Sequence, residues 1–376
     1  MYYLIEVGGV RDSRTLGGPM VTLEEIEAFA KGIGIDLIGF TDAKLLMGIE
    51  EQFLKRKSNN QISELGPKNL EEKCNPRRLL ESCESIITIG IPNQLTVYKR
   101  TYKYGHMSSG GIGIDYHKVL WSYLEKIVEY IKDNTKESVD YKICVDTCPL
   151  SDREIAFKSG LGYYGKNNFI ISHKYGSAIN IGYILIDKAF NEEAIEIANQ
   201  CGTCTICMKA CPSQAILVNG FKIHQCIAQL TQTKKELSYA QRELIDKNIY
   251  GCDICQRVCP KNEKVLSYSL KESHIDLIEL IHLSNSEFKN RFKDKGFYWR
   301  GNSVIKRNAI IALGNEELKE NYDAVIFLLD HPSITIKRYA LWALYRSDAK
   351  RFNEIKLSNN DLAIEKKRIL EYYKKS

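Results

Sequence analysis

Twelve cysteines occur in the chain, and eight of them fall between Cys201 and Cys259. The first run is Cys201-Gly-Thr-Cys204-Thr-Ile-Cys207-Met-Lys-Ala-Cys211-Pro212, a C-x2-C-x2-C-x3-C-P series. That spacing lets one loop present thiolates to three corners of an iron–sulfur cube, while the fourth cysteine goes to a neighbouring cluster. A second, partial run is Cys252-Asp-Ile-Cys255-Gln-Arg-Val-Cys259-Pro260. Exchanging the fourth ligands assigns Cys201, Cys204, Cys207 and Cys259 to one cluster. The other takes Cys211, Cys252 and Cys255 and needs one more thiolate, for which Cys226, alone between the runs, is the candidate. Two [4Fe–4S] sites then use all eight residues. Cys-x2-Cys pairs also build zinc ribbons, but the longer series beside a second Cys-Pro favours iron–sulfur binding. The Cys-x3-Cys-x2-Cys run of a radical-SAM cluster is absent. Disulfide scaffolds are short and secreted, unlike this chain.

Two clusters alone would make an electron carrier, yet 200 residues precede Cys201. The clusters are therefore expected to feed a redox site in the N-terminal part. The candidate loop is Cys144-Val-Asp146-Thr-Cys148-Pro149, followed by Gly160-Leu-Gly-Tyr-Tyr-Gly165-Lys166-Asn167-Asn168. A carboxylate at a strand end can be partly desolvated and hold a proton near neutral pH. The glycines would let backbone approach a large planar ligand. The plainer reading is a capped turn and a glycine-rich surface loop. Cys144 and Cys148 could be a redox pair, but buried thiols are the favoured reading. No G-x-G-x-x-G opens a helix after a strand, which argues against a dinucleotide.

The elements that must position these residues follow from periodicity. Thr22 and Glu25 form a capping box ahead of Ile26, Phe29 and Ala30. Strands are expected at Ile35–Phe40, Ser85–Ile91, Tyr141–Asp146, Asn168–Ser172 and Ala178–Ile186. Helices are expected over Tyr116–Asn134 and Ser151–Ser159, and Tyr98–Gly113 reads as a loop. Strands alternating with helices make the N-terminal part α+β with α/β character. After the ferredoxin-like module comes a helical region with an internal repeat. Ile305-Lys-Arg-Asn-Ala-Ile-Ile-Ala-Leu313 matches Ile336-Lys-Arg-Tyr-Ala-Leu-Trp-Ala-Leu344 at equal offsets, with a second helix, Tyr322–Asp330, between them. This is the pattern of HEAT-like helix pairs. The expected division is an extension at 1–20, a catalytic domain at 21–194, a two-cluster domain at 195–265 and a helical domain at 266–376.

The 376 residues are 44% hydrophobic and 27% charged, ordinary values for a globular chain. No run of 18 uncharged apolar residues exists and the first 20 residues lack a secretory apolar core, so a cytoplasmic protein without membrane spans is expected. Net charge is +6, and the segment from Lys289 onward carries 19 Lys and Arg against 11 Asp and Glu. The basic excess lies in the C-terminal part and suggests a polyanion partner, against solvated helix faces as the alternative. Lys306, Arg307, Lys337 and Arg338 recur at one register and could form a basic ridge.

The chain resembles the epoxyqueuosine reductase family. The matching stretches are Asp115-Tyr-His117, Val145-Asp-Thr147, Gly160-Leu-Gly-Tyr-Tyr-Gly-Lys-Asn167, the first cysteine run, Cys226-Ile with Leu230-Thr231, Tyr250-Gly-Cys-Asp-Ile-Cys-Gln256, and Arg307-Asn-Ala with Ala312-Leu-Gly-Asn315. The resemblance implies reduction of the epoxide of epoxyqueuosine at the wobble position of tRNA to the alkene of queuosine. It implies a cobalamin between the N-terminal domain and the cluster module, reduced through the clusters by an external low-potential electron donor. It implies Asp146 as proton donor, and Lys166, Asn167 and Asp253 beside it as residues lining the cofactor pocket. It also implies that the helical repeat of a monomer grips the anticodon stem-loop. The Asp-x-His-x-x-Gly motif of histidine-ligated cobalamin is absent, since Asp115-Tyr-His117-Lys-Val-Leu120 ends in Leu. Two departures stand near the expected pocket: Cys148 where the family usually has Gly, and Ile112-Gly-Ile114 in place of Ser-Trp-Gly. Competing readings are a corrinoid reductive dehalogenase-like enzyme, disfavoured by the lack of a twin-arginine signal, and a non-catalytic electron-transfer subunit. Cobalamin binding together with salt-sensitive tRNA binding would separate the carrier from the enzyme.

Overall fold

The computed structural model describes residues 21–66, 69–97, 102–190, 196–218, 220–268 and 274–375. The expected extension at 1–20 lies outside them. The first helix, Leu23–Gly32, starts as its sequence dictates: Thr22 accepts from the Glu25 amide while the Glu25 carboxylate accepts from the Thr22 amide. Strands Ile38–Asp42, Ser85–Pro92, Ile179–Ile186 and Tyr141–Cys144 form one sheet in that spatial order, every pair antiparallel. The first begins three residues later than expected, and Asn168–Ser172 yields only a two-residue strand, Ile170–Ile171. Ser85–Ile91 is buried throughout because both sheet faces are covered. Helix Tyr116–Asp133 lays Leu120, Leu124, Ile127 and Ile131 on one face, against Ile87, Ile89 and Ile184. On the other face Ile86, Tyr183 and Leu185 meet Leu46, Ile49 and Ile155. An antiparallel sheet with helices on both faces is an α+β arrangement.

Within Tyr98–Gly113, read as a loop, the described residues instead hold a strand, Tyr104–Met107, and a short helix, Ser109–Ile112, and the stretch just before it also joins a sheet. Leu95–Val97 pairs in parallel with Leu266–Tyr268. Tyr104–Met107 lies between Asn248–Tyr250, to which it is parallel, and His274–Asp276, to which it is antiparallel. Its pairing partners are remote in sequence, so no local alternation announced it. Gly105 is where a side chain would fail: a Cβ there would stand 2.1 Å from Ile249 Cδ1. The cysteine module and the helical region also share one core, from Met107, Leu230 and Ile249 to Ile310, Trp342 and Ile369. No core boundary falls at residue 265.

The C-terminal part is helical, with Asn302–Asn315 and Ile334–Ser347 packed together. Equivalent small residues allow this: Ala309, Ala312, Ala340 and Ala343 are all fully buried. A Cβ on Gly314 would meet Ala343 Cα at 3.0 Å, so the helices are as close as glycine permits. The expected basic ridge does not form. Arg307 is buried, and its guanidinium donates to the carbonyls of Thr233 at 2.7 Å and Leu230 at 3.2 Å and to Asn308 Oδ1. Lys306 is buried too and donates to Leu283 O at 2.9 Å. Lys337 is half-exposed, and Arg338 reaches Glu236 at 3.5 Å. Repeated charge suggests a surface, whereas these long side chains span inward to backbone carbonyls. Among the described residues no helix is long and apolar enough to cross a membrane.

Candidate active site and cluster centres

A cavity of about 500 Å³ opens between the α+β part and the cysteine module. One wall is Ile49, Phe53, Arg56, Lys73, Asp146, Arg153, Tyr164 and Asn167; the other includes Cys211, Phe221, Cys226, Gln229, Cys252 and Cys255. Size, position and mixed lining are those of a ligand site.

Asp146 follows strand Tyr141–Cys144 with φ +53°, a left-handed backbone for a residue with a Cβ. Its side chain is 60% exposed and faces His117 Nε2 at 3.5 Å. That is an ion-pair distance, too long and unaligned for a hydrogen bond, and Nε2 is left buried without a donor–acceptor partner. The imidazole is held from behind, with Nδ1 at 2.7 Å from Asp115 Oδ1, and Asp115 also caps helix Tyr116–Asp133 by accepting from the His117 amide. The carboxylates of Asp146 and Asp115 raise the His117 pKa against the pull of burial. Deeper, Asp152 is pushed up to about 7 by burial and by the Asp146 charge. Three cations stand around the cavity. Burial and mutual repulsion lower the pKa values of Lys73 and Arg56, with Arg153 the neighbouring charge in both cases. Sequence reasoning missed these three. The signal was present in Ile49, Gln52, Phe53 and Arg56, which share one face of helix Met47–Ser58 and all line the cavity.

The expected cofactor residues divide. Asn167 is buried on the cavity wall, with Oδ1 accepting from the Phe169 amide and Nδ2 without a partner. Lys166 and Asp253 are not among the lining residues. Lys166 Nζ donates to the carbonyls of Gly202 at 2.6 Å and Cys204 at 2.9 Å, so it braces the first cysteine loop. Asp253 is buried and accepts from the Ser109 amide at 2.6 Å, tying the second run to residue 109. The glycines of the 160–165 loop serve packing rather than ligand approach: Cβ atoms on Gly162 and Gly165 would meet Ile171 at 2.4 and 2.5 Å.

The cysteines gather in two groups. The charges acting on the Cys207 thiol are those of Cys259, Cys201 and Cys204. Those acting on Cys255 are Cys252, Cys226 and Cys211, together with Asp253. Burial is the first cause that raises both thiols. Among the described residues no three potential ligands converge on a single-ion site. A cube binds each thiolate at a different iron, so its sulfurs stand farther apart than the ligands of one ion. Cys144 and Cys148, favoured above as free thiols, are joined in a disulfide.

Residues 200–262 match the family model of the 4Fe-4S double cluster binding domain, and residues 73–147 match that of epoxyqueuosine reductase QueG. An epoxyqueuosine reductase of Bacillus anthracis is 34% identical over 335 residues, covering 85% of this chain and 88% of the relative. The chain belongs to the epoxyqueuosine reductase family. The Lactococcus garvieae epoxyqueuosine reductase is 36% identical over 304 residues, covering 78% and 86% of the two chains. An epoxyqueuosine reductase crystallised with an epoxyqueuosine-modified tRNA stem loop superposes with a TM-score of 0.84 at 30% identity, covering 93% of this chain and 97% of that one. The Bacillus subtilis epoxyqueuosine reductase, solved with its aspartate catalytic loop swung out of the active site, superposes at 0.82 with 29% identity, covering 93% and 98%. Membership makes this chain an oxidoreductase of tRNA queuosine modification with a 4Fe-4S double-cluster domain.

Proposed function

We propose that the cavity between the α+β part and the cysteine module binds cobalamin and that epoxyqueuosine in tRNA is reduced there. The observation that carries this reading is the cavity itself, with Asp146 on one wall and Cys211, Cys226, Cys252 and Cys255 on the other. The lining fits the cofactor. Phe53, Ile49 and Phe221 offer apolar surface, Asn167 Nδ2 is a buried donor without a partner, and Arg56, Lys73 and Arg153 suit its phosphodiester. Bound there, cobalamin would supply a low-valent cobalt centre able to reduce an epoxide. The two cysteine quartets, Cys201, Cys204, Cys207, Cys259 and Cys211, Cys226, Cys252, Cys255, are the ligands of the two clusters. They would pass electrons inward from an external low-potential donor.

The reaction takes up two electrons and two protons and releases water. Asp146 donates a proton to the opened epoxide oxygen, which must leave protonated. Its exposed carboxyl, on a loop that can swing as in the Bacillus subtilis enzyme, meets the incoming nucleoside. His117, fixed by Asp115, restores the proton from behind. Domains follow as a catalytic part to about residue 194 and, joined by one common core, a cluster part to 265 and a HEAT-like helical part beyond. The tRNA face is the surface around the Ile114–Lys295 bridge, three residues along the chain from His117, with exposed Lys293 and the 54%-exposed Trp299 on either side of Lys295 in sequence. Basic side chains would meet phosphates and Trp299 would stack on an unpaired base. Lys306 and Arg307 take no part.

The experiment is turnover of epoxyqueuosine-tRNA by anaerobically reconstituted protein with added cobalamin and a low-potential reductant. Queuosine forms with cobalamin and not without it, and tRNA affinity falls steeply with salt. Equal conversion without a corrinoid would overturn the assignment of the cavity.

A further inference from the structure

Four cysteines stand outside the two quartets: Cys74, Cys83, Cys144 and Cys148. All four belong to one apolar cluster beneath the Asp146 loop. Cys74 and Cys83 are free and buried; burial raises the Cys74 thiol and pushes Cys83 up to about 11. Both stay protonated at neutral pH and are poor nucleophiles. Cys144 and Cys148 are instead joined to each other.

The Cys144–Cys148 bond closes the segment Cys144-Val-Asp146-Thr-Cys148, with Asp146 at its centre. Cys144 is fully buried at the end of a sheet strand. Cys148 is half-buried at the far end of the loop, ahead of Pro149. Between them Asp146 holds its left-handed φ of +53°. A crosslink four residues apart closes too short a loop to do much to the unfolded chain, where the gain grows with loop length. Its effect falls on the native loop.

We propose that Cys144 and Cys148 form a reversible thiol–disulfide site that clasps and releases the loop carrying Asp146, with a small dithiol as its reductant. The functional meaning rests on the reading of Asp146 as proton donor. In reduction, one thiolate of the dithiol attacks the half-buried Cys148 sulfur. The bond to Cys144 breaks, and Cys144 leaves as a thiolate and takes a proton. The second thiolate of the dithiol then attacks its partner sulfur and frees Cys148 as a thiol. The protein disulfide gains two electrons and two protons, and the dithiol becomes a cyclic disulfide. A small disulfide such as oxidised glutathione runs the exchange backwards. Burial of Cys144 directs attack to Cys148, and the protonated Cys74 and Cys83 do not compete. Clasped, the loop holds Asp146 facing His117; released, the loop relaxes and Asp146 moves.

The test uses full-length holoprotein with both clusters, exposed anaerobically to oxidised glutathione or to dithiothreitol, with iron content checked in both arms. Thiols are trapped on unfolding and located by mass spectrometry. Cys74 and Cys83 should label in both arms, and Cys144 and Cys148 only after dithiothreitol. Amide exchange across Val145–Thr147 should run at least tenfold faster in the reduced arm. Cys148→Ser and, separately, Cys144→Ala should show the fast rate in both arms. Labelling of Cys144 and Cys148 in both arms, or one exchange rate for both states, would overturn the proposal. If both redox states behave as stated but Asp146→Asn turns over normally, the thiol site stands and the proton-donor reading is what fails.

Discussion

At the scale of single residues, the carboxyls around the cavity carry the sharpest expectations. Asp146→Asn keeps the shape of the loop and removes the proton. Conversion of epoxyqueuosine-tRNA should fall about 10²- to 10⁴-fold, the usual share of a general acid, with iron content and tRNA affinity unchanged. An equal turnover number would remove Asp146 from the mechanism. Asp152 makes a separate claim about pH. Its pKa in the fold is about 7, above the ordinary value near 4 of an unfolded aspartate. A group raised in the fold favours folding while protonated, so its contribution is complete below about pH 4 and is lost as pH rises through about 7. Asp152→Asn should flatten the decline in melting temperature between those limits. An unchanged slope would place the titration elsewhere. The place of Asp146 on the cavity wall was legible from the sequence because it stands just past a strand, ahead of a turn. Asp152 was not, since its desolvation and the Asp146 charge beside it arise only once the chain is folded, which periodicity alone does not reveal.

At the scale of elements, one helix shows how a charge pattern misleads. Lys306 and Arg307 repeat at the register of Lys337 and Arg338, and repetition of charge suggested a surface. Arg307 lies inside, where burial pushes its pKa down to about 10 and carbonyls of residues 230–233 take its hydrogens. Its neighbour Asn308 donates to Thr231 O and Ile249 O, both at 2.7 Å. Together they fasten helix Asn302–Asn315 to the cysteine module. Arg307→Met should therefore cost about 3 kcal/mol of stability, from several carbonyls left unsatisfied, seen as a lower denaturation midpoint. At a temperature where the variant is folded, its tRNA affinity should match the parent; a selective tRNA defect would restore the ridge. Periodicity did find the helices themselves, because Ile305, Ala309 and Ala312 pack as their spacing requires. It missed strand Tyr104–Met107, whose partners come from two remote segments. Lys166 belongs to this scale as well. It holds the carbonyls of Gly202 and Cys204 with a positive charge beside the first cysteine run. Charge near a cluster sets its potential, so Lys166→Met should lower the midpoint of one cluster in a redox titration and leave the other in place.

At the scale of the molecule, the wiring of the cysteines and the seams between parts make one argument. Leu95–Val97 and Tyr104–Met107 come from the N-terminal part, yet pair with one strand inside the cysteine module and with two that follow it. Asp253, between two cysteines, accepts from the Ser109 amide. Asn262, just past Cys259, accepts from the Ser177 amide at 2.7 Å and donates to the Ser177 hydroxyl at 2.8 Å. The second run is thus pinned to the catalytic part at both ends, while the first is braced by Lys166. If the fourth ligands are exchanged, Cys211→Ser should spare the cluster of its own run and damage the one held by Cys226, Cys252 and Cys255. Cys259→Ser should do the reverse, although its closest cysteine in sequence is Cys255. Each variant, reconstituted and reduced stepwise, should show one intact [4Fe–4S] signal by electron paramagnetic resonance. The surviving potential should differ between the two variants. Because Lys166 touches only the first loop, adding Lys166→Met to Cys211→Ser should shift the surviving potential, and adding it to Cys259→Ser should not. If the shift instead accompanies Cys259→Ser, the ligands are not exchanged, and each run holds its own cluster.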